Sequence, residues 1–106
     1  MLYIYPAVLY EEEDTFYMSF PDLDILAEGE NAEEAFAKAK ECLKAYFKLA
    51  KRLDVEVASP STYEQISKKH PKNTVLMVDV NVNTKEISIS DVDKEYNKFR
   101  KMFFHN

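Results

Sequence analysis

One glycine, Gly29, serves the whole chain of 106 residues. A loop that cradles phosphate needs several glycines to let its backbone approach the ligand, so Gly-rich nucleotide sites are excluded. Flexible Gly/Ser linkers are missing too, and no internal repeat is visible. One cysteine, Cys42, excludes an intrachain disulfide; this suits a reducing compartment, and the expected location is the cytoplasm. No apolar run approaches the ~20 residues that cross a bilayer. The opening Met1-Leu2-Tyr3-Ile4-Tyr5-Pro6 lacks the basic start of a secretory signal, so no membrane association is expected. The most informative absence is of positive charge. Residues 1–37 hold ten acids and neither Lys nor Arg, while the rest of the chain holds nine acids and all fourteen bases. The net charge of -5 therefore hides a split of -10 against +5. Such asymmetry bears on association and not on fold, and it points to a basic partner. A merely soluble surface is the plain alternative.

What is present suffices for a folded domain. Hydrophobic residues make up 46 % of the chain, with seven Tyr and seven Phe, so disorder is excluded and a core needs no metal or disulfide. Residues 2–10 are rich in aromatic and β-branched types and predict a strand; Pro6 places it at an edge or a bulge. Glu11-Glu12-Glu13-Asp14 reads as a hairpin turn. The alternation of Phe16, Met18 and Phe20 with Thr15, Tyr17 and Ser19 predicts the returning strand. A short third strand over 25–28 ends at Gly29, where a positive φ is expected. Asn31 is an N-cap with Glu34 three places on. Ala35, Phe36, Ala39, Cys42, Leu43, Tyr46, Phe47 and Ala50 then recur at helical spacing, so a long helix is predicted over 32–53. Ser61-Thr62-Tyr63-Glu64 reads as a capping box that opens a short helix ending near Lys69. Strands at 74–82 and 86–89 follow, then a helix from Ser90 or Asp91 to about Phe103. The fold class is α+β, order βββ-α-α-β-β-α: a three-stranded antiparallel sheet, with a further C-terminal strand, packed on one long helix.

No constellation for catalysis emerges, and the chain is not expected to be an enzyme. His70 and His105 have no metal-ligand spacing to each other or to Cys42. Cys42 lies on the apolar stripe of the long helix, where a small buried hydrophobe is the reading; a nucleophile needs a lowered pKa and a nearby base. Asp22, Asp24, Glu28 and Asp79 are acidic enough for a nuclease-like metal site, but Asp22 and Asp24 stand at a turn, where short acids bond their own backbone. No metal and no cofactor are expected. Lys68, Lys69, His70 and Lys72 make a small basic loop. Lys94, Lys98, Arg100 and Lys101 put bases on the last helix and are the candidates for weak nucleic-acid contacts. Neither group has the pattern of a known reading motif.

An ordered set of pieces carries a family resemblance. Tyr5-Pro6-Ala7-Val8 comes first, then Tyr17-Met18-Ser19-Phe20-Pro21-Asp22-Leu23, then Glu28-Gly29-Glu30-Asn31-Ala32-Glu33-Glu34-Ala35. Pro60-Ser61 and Val75-Leu76-Met77-Val78-Asp79-Val80 complete it. Over residues 3–82 this resembles the amino-terminal domain of HicB antitoxins. The resemblance implies a partial ribonuclease-H-like fold without the nuclease carboxylates, and a homo-oligomer (dimer or tetramer). It also implies a partner, a small basic mRNA-cleaving toxin of the HicA type, neutralised by occlusion of its active site. Two departures stand out. Asp24-Ile25-Leu26 replaces a Gly-Cys common in the family. After Val82, 24 residues are too few for the strand and two helices of a DNA-binding domain, so DNA binding is not expected. The chain therefore divides into a HicB-like domain over 1–82 and a strand-helix extension over 83–106, expected to pack against a second copy. The toxin-binding candidates are Glu11, Glu12, Glu13, Asp14, Asp22 and Asp24. The alternative is a stand-alone HicB-like binding module that has no toxin partner.

Overall fold

The computed structural model describes residues 1–82. The expected strand 86–89, the last helix with Lys94, Lys98, Arg100 and Lys101, and His105 lie outside the described residues. The elements are β1 (Leu2–Glu12), β2 (Thr15–Phe20), β3 (Ile25–Gly29), α1 (Ala32–Arg52), α2 (Tyr63–Lys69) and β4 (Thr74–Asn81). All four strands join one antiparallel sheet in the order β3-β2-β1-β4. The C-terminal strand thus enters the same sheet, beside β1.

Pro6 does not put β1 at an edge, because β1 lies between β2 and β4. Its long span is shared in sections. Residues 2–7 pair with β4 only, Val8 and Leu9 pair with both neighbours, and residues 10–12 pair with β2 only. At Pro6 the strand has a partner on one side, Met77, so the proline sits where the ladder is already half open.

Alternation along the strands sorts side chains onto two faces. Tyr5, Ala7, Met18, Phe20, Ile25, Ala27, Val78, Val80 and Val82 form one core with Ala35, Ala39, Cys42, Leu43 and Phe47 of α1. Small residues at 35 and 39 let the helix axis come close to the sheet. Phe47 then fills the far end, stacked on Tyr3 at 3.8 Å between ring centres, with Tyr5 tilted against it at 5.3 Å and Tyr46 edge-on at 5.4 Å.

The helix ends as its sequence dictates. The Asn31 side chain accepts from the Glu34 backbone N–H at 2.8 Å. Glu33 and Glu34 lie at the positive end of the helix dipole, and Lys51 and Arg52 at the negative end. After the C-cap, Leu53, the Val55 N–H donates to the Ala50 carbonyl and the Asp54 N–H to the Lys51 carbonyl. This pair of bonds is a Schellman closure, and it holds Asp54 at φ 53. A residue with a Cβ is strained there, and a carboxylate at a helix C-terminus opposes the dipole. Asp54→Gly is therefore expected to stabilise the domain by about 1 kcal/mol, raising the thermal midpoint by about 4–8 °C in a differential scan.

Residues 53–62 carry the chain around the end of the sheet to its other face. Two contacts fasten this crossover: the Tyr5 hydroxyl donates to the Ala58 carbonyl, and Ser61 donates to Asp22. Burial, then the neighbouring Asp22 carboxylate, push the Tyr5 hydroxyl pKa up. The capping box that opens α2 stands one residue later than the sequence predicts. Thr62 is the N-cap and Gln65 its reciprocal partner, because Ser61 is engaged by Asp22. Ile66 of α2 packs on Val8 and Val75, the only strip of the second face that has a buried core of its own among the described residues.

Candidate protein-binding surface

The acid-rich opening of the chain is sorted by topology. Glu12 opposes Thr15, so the hairpin loop is only Glu13-Asp14, and Glu11 and Glu12 belong to the strand. The loop residues have φ 49 and φ 66, the two positive values that a tight type I′ hairpin requires. Antiparallel pairing of Phe16 with Gly29 brings the end of β3 to the same edge. Glu28 and Glu30 therefore lie beside the hairpin, and α1 starts there with Glu33 and Glu34. Asp14, Thr15, Glu28, Gly29, Glu30, Glu34 and Lys38 line an open cleft of about 280 Å³.

Gly29 makes this convergence possible, and not through a left-handed backbone, since its φ is not positive. A Cβ on Gly29 would stand 2.5 Å from the Ala35 nitrogen and 2.9 Å from the Glu34 carbonyl carbon. The first turn of α1 rests directly on the backbone of β3, which leaves no room for a side chain.

Within the cleft, Lys38 pairs with Glu34 at 3.0 Å, one helical turn apart. That contact, aided by a backbone hydrogen bond from Glu30, holds the Glu34 carboxyl below its ordinary pKa. Glu11, Glu12, Glu13 and Asp14 are all exposed to solvent. The negative region has a boundary. The last turn of α2, with Lys68 and Lys69, and the turn beyond it, with Lys72, lead to Thr74, which pairs with Leu9. Positive charge therefore flanks the hairpin on the β4 side, and the surface is polarised across the sheet.

The other two predicted contact residues lie elsewhere. Asp22 and Asp24 stand in the turn between β2 and β3, at the opposite end of β2, about 17 Å away at 3.3 Å per residue. Asp22 ties that turn to the crossover. It accepts from the Ser61 backbone N–H at 2.8 Å and from the Ser61 hydroxyl at 2.6 Å. Asp24 is exposed at φ 58; among the described residues it is one of four non-glycine positions with a positive φ, three of which are aspartates. The sequence signal for the role of Asp22 was the pairing of an acid after Pro21 with a Ser-Thr helix start, but nothing local says that the two segments meet.

The acids weighed for a metal site do not converge. Asp22 and Asp24 are at one end of the β2–β3 hairpin, Glu28 is near the other, and Asp79 lies on β4, paired with Lys40 at 3.8 Å. Among the described residues no three of His, Cys, Asp and Glu are grouped to hold a metal ion, and no helix is long and apolar enough to cross a membrane. Cys42 is buried within the core, and desolvation pushes its thiol up to about 12. A thiol so protonated at neutral pH is no nucleophile.

The architecture is that of HicB antitoxin domains. The amino-terminal domain of the Burkholderia pseudomallei antitoxin HicB superimposes with a TM-score of 0.66 at 16 % identity, over 76 % of this chain and 100 % of that one. A chain of a toxin-antitoxin complex from Streptococcus pneumoniae matches with a TM-score of 0.63 at 21 % identity, over 98 % of this chain and 92 % of that one. A chain of a HicA3 and HicB3 toxin-antitoxin complex matches at 0.55 and 16 % identity, covering 76 % of this chain and 99 % of that one. At such identities the likeness is one of fold. No protein-family model matches the sequence, and no curated protein matches it.

Proposed function

We propose that this chain is an antitoxin that neutralises a small basic toxin of the HicA type by binding over its active site. The observation that carries the reading is the convergence of Glu11, Glu12, Glu13, Asp14, Glu28, Glu30, Glu33 and Glu34 at one end of a HicB-like fold. An RNA-cleaving protein needs positive charge to hold its substrate, and a surface of opposite sign competes for that charge. Exposed carboxylates of this kind act on the encounter more than on the lifetime of the complex, because they stay near solvent and steer diffusion. The basic end of α2 at Lys68 and Lys69, with Lys72 beyond it, adds orientation, since a partner is drawn to one side of β1 and repelled from the other. In this reading Asp22 serves the fold and Asp24 faces away from the contact, and no catalytic step is asked of the chain.

The test is a triple charge reversal, Glu11→Lys, Glu12→Lys and Glu13→Lys, in stopped-flow association with a HicA-type toxin. The association rate is expected to fall about tenfold or more at low ionic strength and to lose most of its salt dependence. Asp24→Lys is expected to change it less than about twofold. Equal rates for the wild type and the triple variant would refute the placement of the contact, and failure of the wild type to block RNA cleavage would refute the function.

A further inference from the structure

The two faces of the sheet are used unequally. α1 packs on the first. On the second, α2 rests on β1 and β4. Across β2 and β3 that second face adds no residue to a buried cluster among the described residues. A face left to water carries polar side chains in alternation with the core. Thr15 and Ser19 obey that rule, while Tyr17 and Leu26 do not. Leu26 is 40 % exposed and Tyr17 is half-buried.

Register sets these residues in rows. Tyr10 directly opposes Tyr17, and Tyr17 directly opposes Glu28, so the three cross the sheet on one face. Glu12 stands on that face one step along β1, opposite Thr15, and Leu26 one step along β3, opposite Ser19. The rings of Tyr10 and Tyr17 stack, with 5.2 Å between centres and 20° between planes. Tyr10 also packs against the cluster of Val8, Ile66 and Val75, which fixes the inner member of the pair. Burial, then Glu12, then Tyr17 push the Tyr10 hydroxyl pKa up, so it stays protonated at neutral pH. Since Tyr10 takes one face of the Tyr17 ring, the other face is turned toward β3, on the side of Glu28.

A held ring beside a carboxylate is the combination that suits arginine. Its guanidinium is planar and cationic, lies flat on an aromatic face and donates in a fork to a carboxylate. An apolar neighbour such as Leu26 takes the aliphatic stem of the same side chain. Stacked rings on a sheet also serve single-stranded RNA. Here, however, phosphates would meet Glu12, Glu28 and the hairpin acids, which repel them. A second copy brings the same acids and is repelled likewise.

We infer that Tyr17 anchors the toxin contact: an arginine of the basic partner lies on the outer face of its ring and reaches the Glu28 carboxylate. The inference rests on the toxin reading and adds a division of roles to it. The exposed acids of the hairpin govern how fast the partner arrives, and a ring enclosed on both sides governs how long it stays. Tyrosine suits that role because it orders only two torsions while burying a large surface.

Tyr17→Ala and Tyr17→Phe, each in the full chain, are compared with the wild type in association with and dissociation from a HicA-type toxin. Tyr17→Ala is expected to raise the dissociation rate about tenfold or more and to change the association rate less than about twofold. Tyr17→Phe keeps the ring and is expected to stay within about threefold of the wild type in both. A dissociation rate for Tyr17→Ala within about twofold of the wild type would overturn the inference. Nitration of the wild type by tetranitromethane, read by peptide mass, needs no variant and so guards against a misfolded one. The toxin is expected to slow nitration of Tyr17 about tenfold or more. Tyr63, 51 % exposed on α2, is expected to react as before. Tight binding with Tyr17 unprotected, or with Tyr17 and Tyr63 protected alike, would overturn this site and leave the toxin reading standing. Protection of Tyr17 by a single-stranded RNA oligonucleotide, or by a higher concentration of the chain alone, would overturn it in favour of RNA or of a second copy. A wild-type chain that binds no toxin defeats the toxin reading, and this site with it.

Discussion

Replacing Phe47 with alanine is expected to cost about 3–5 kcal/mol and to leave little folded protein at 37 °C. The ring is 1 % exposed and is met from three sides: Tyr3 stacks flat on it, Tyr5 leans on it and Tyr46 meets it edge-on. Truncation would open a cavity that none of these neighbours can fill, because Tyr3 and Tyr5 are fixed by β1 and Tyr5 is tethered to Ala58. Aromatic pairs of this geometry also contribute about 0.5–1.5 kcal/mol beyond their buried area. Urea unfolding followed by far-ultraviolet circular dichroism reads the loss directly as a lower midpoint at unchanged slope. Phe47→Leu, which keeps most of the volume, should recover more than half of it. A Phe47→Ala protein within about 1 kcal/mol of the wild type would mean that the aromatic cluster is not what holds α1 to the sheet.

Gly29→Ala is the second large effect, expected at about 2–3 kcal/mol of destabilisation. One methyl group is enough because the atoms in its way are backbone. At 2.5 Å from the Ala35 nitrogen, neither β3 nor α1 can turn a rotamer to make room. Relief requires that the helix lift from the strand. Since the small side chains of Ala35 and Ala39 hold α1 close to the sheet, lifting also loosens the core below them. The displacement falls at the end where Glu30 and Glu34 meet the hairpin. A correctly folded remnant should therefore show altered amide shifts at Asp14 and Thr15 as well as a lower urea midpoint. A substitution that cost nothing would show that the helix already has slack over β3.

These two positions differ in how far the sequence discloses them. Phe47 lies on a stripe of period 3.6, so its burial was legible, as were the four strands among the described residues, the long helix and its cap at Asn31. The two rings that β1 lays against Phe47 were not, because Tyr3 and Tyr5 are more than forty residues away in sequence and only the tertiary fold brings them to α1. Gly29 was legible as special but for the wrong reason. The rule that glycine supplies a positive φ is local, while the constraint here is a close approach set by α1. The left-handed positions went instead to Glu13, Asp14, Asp24 and Asp54. Pro6 misled in the same way: it reports a missing donor, and the offset between the β2 and β4 registers decides what that absence means. The split of charge was plain in the sequence, but its grouping was not. Pairing sends Glu28 and Glu30 to the hairpin and leaves Asp22 and Asp24 at the far end, where Asp22 is occupied with Ser61.

The hairpin loop has a consequence for how its acids are read. Glu13 and Asp14 occupy backbone states that asparagine and glycine fill more comfortably, so a side chain chosen for shape alone would not be an acid at both places. Conformational ease and negative charge are thus separable at this tip. An Asn-Gly dipeptide there keeps the bend and discards two carboxylates, so a binding loss seen with it would belong to charge and not to a misshapen loop.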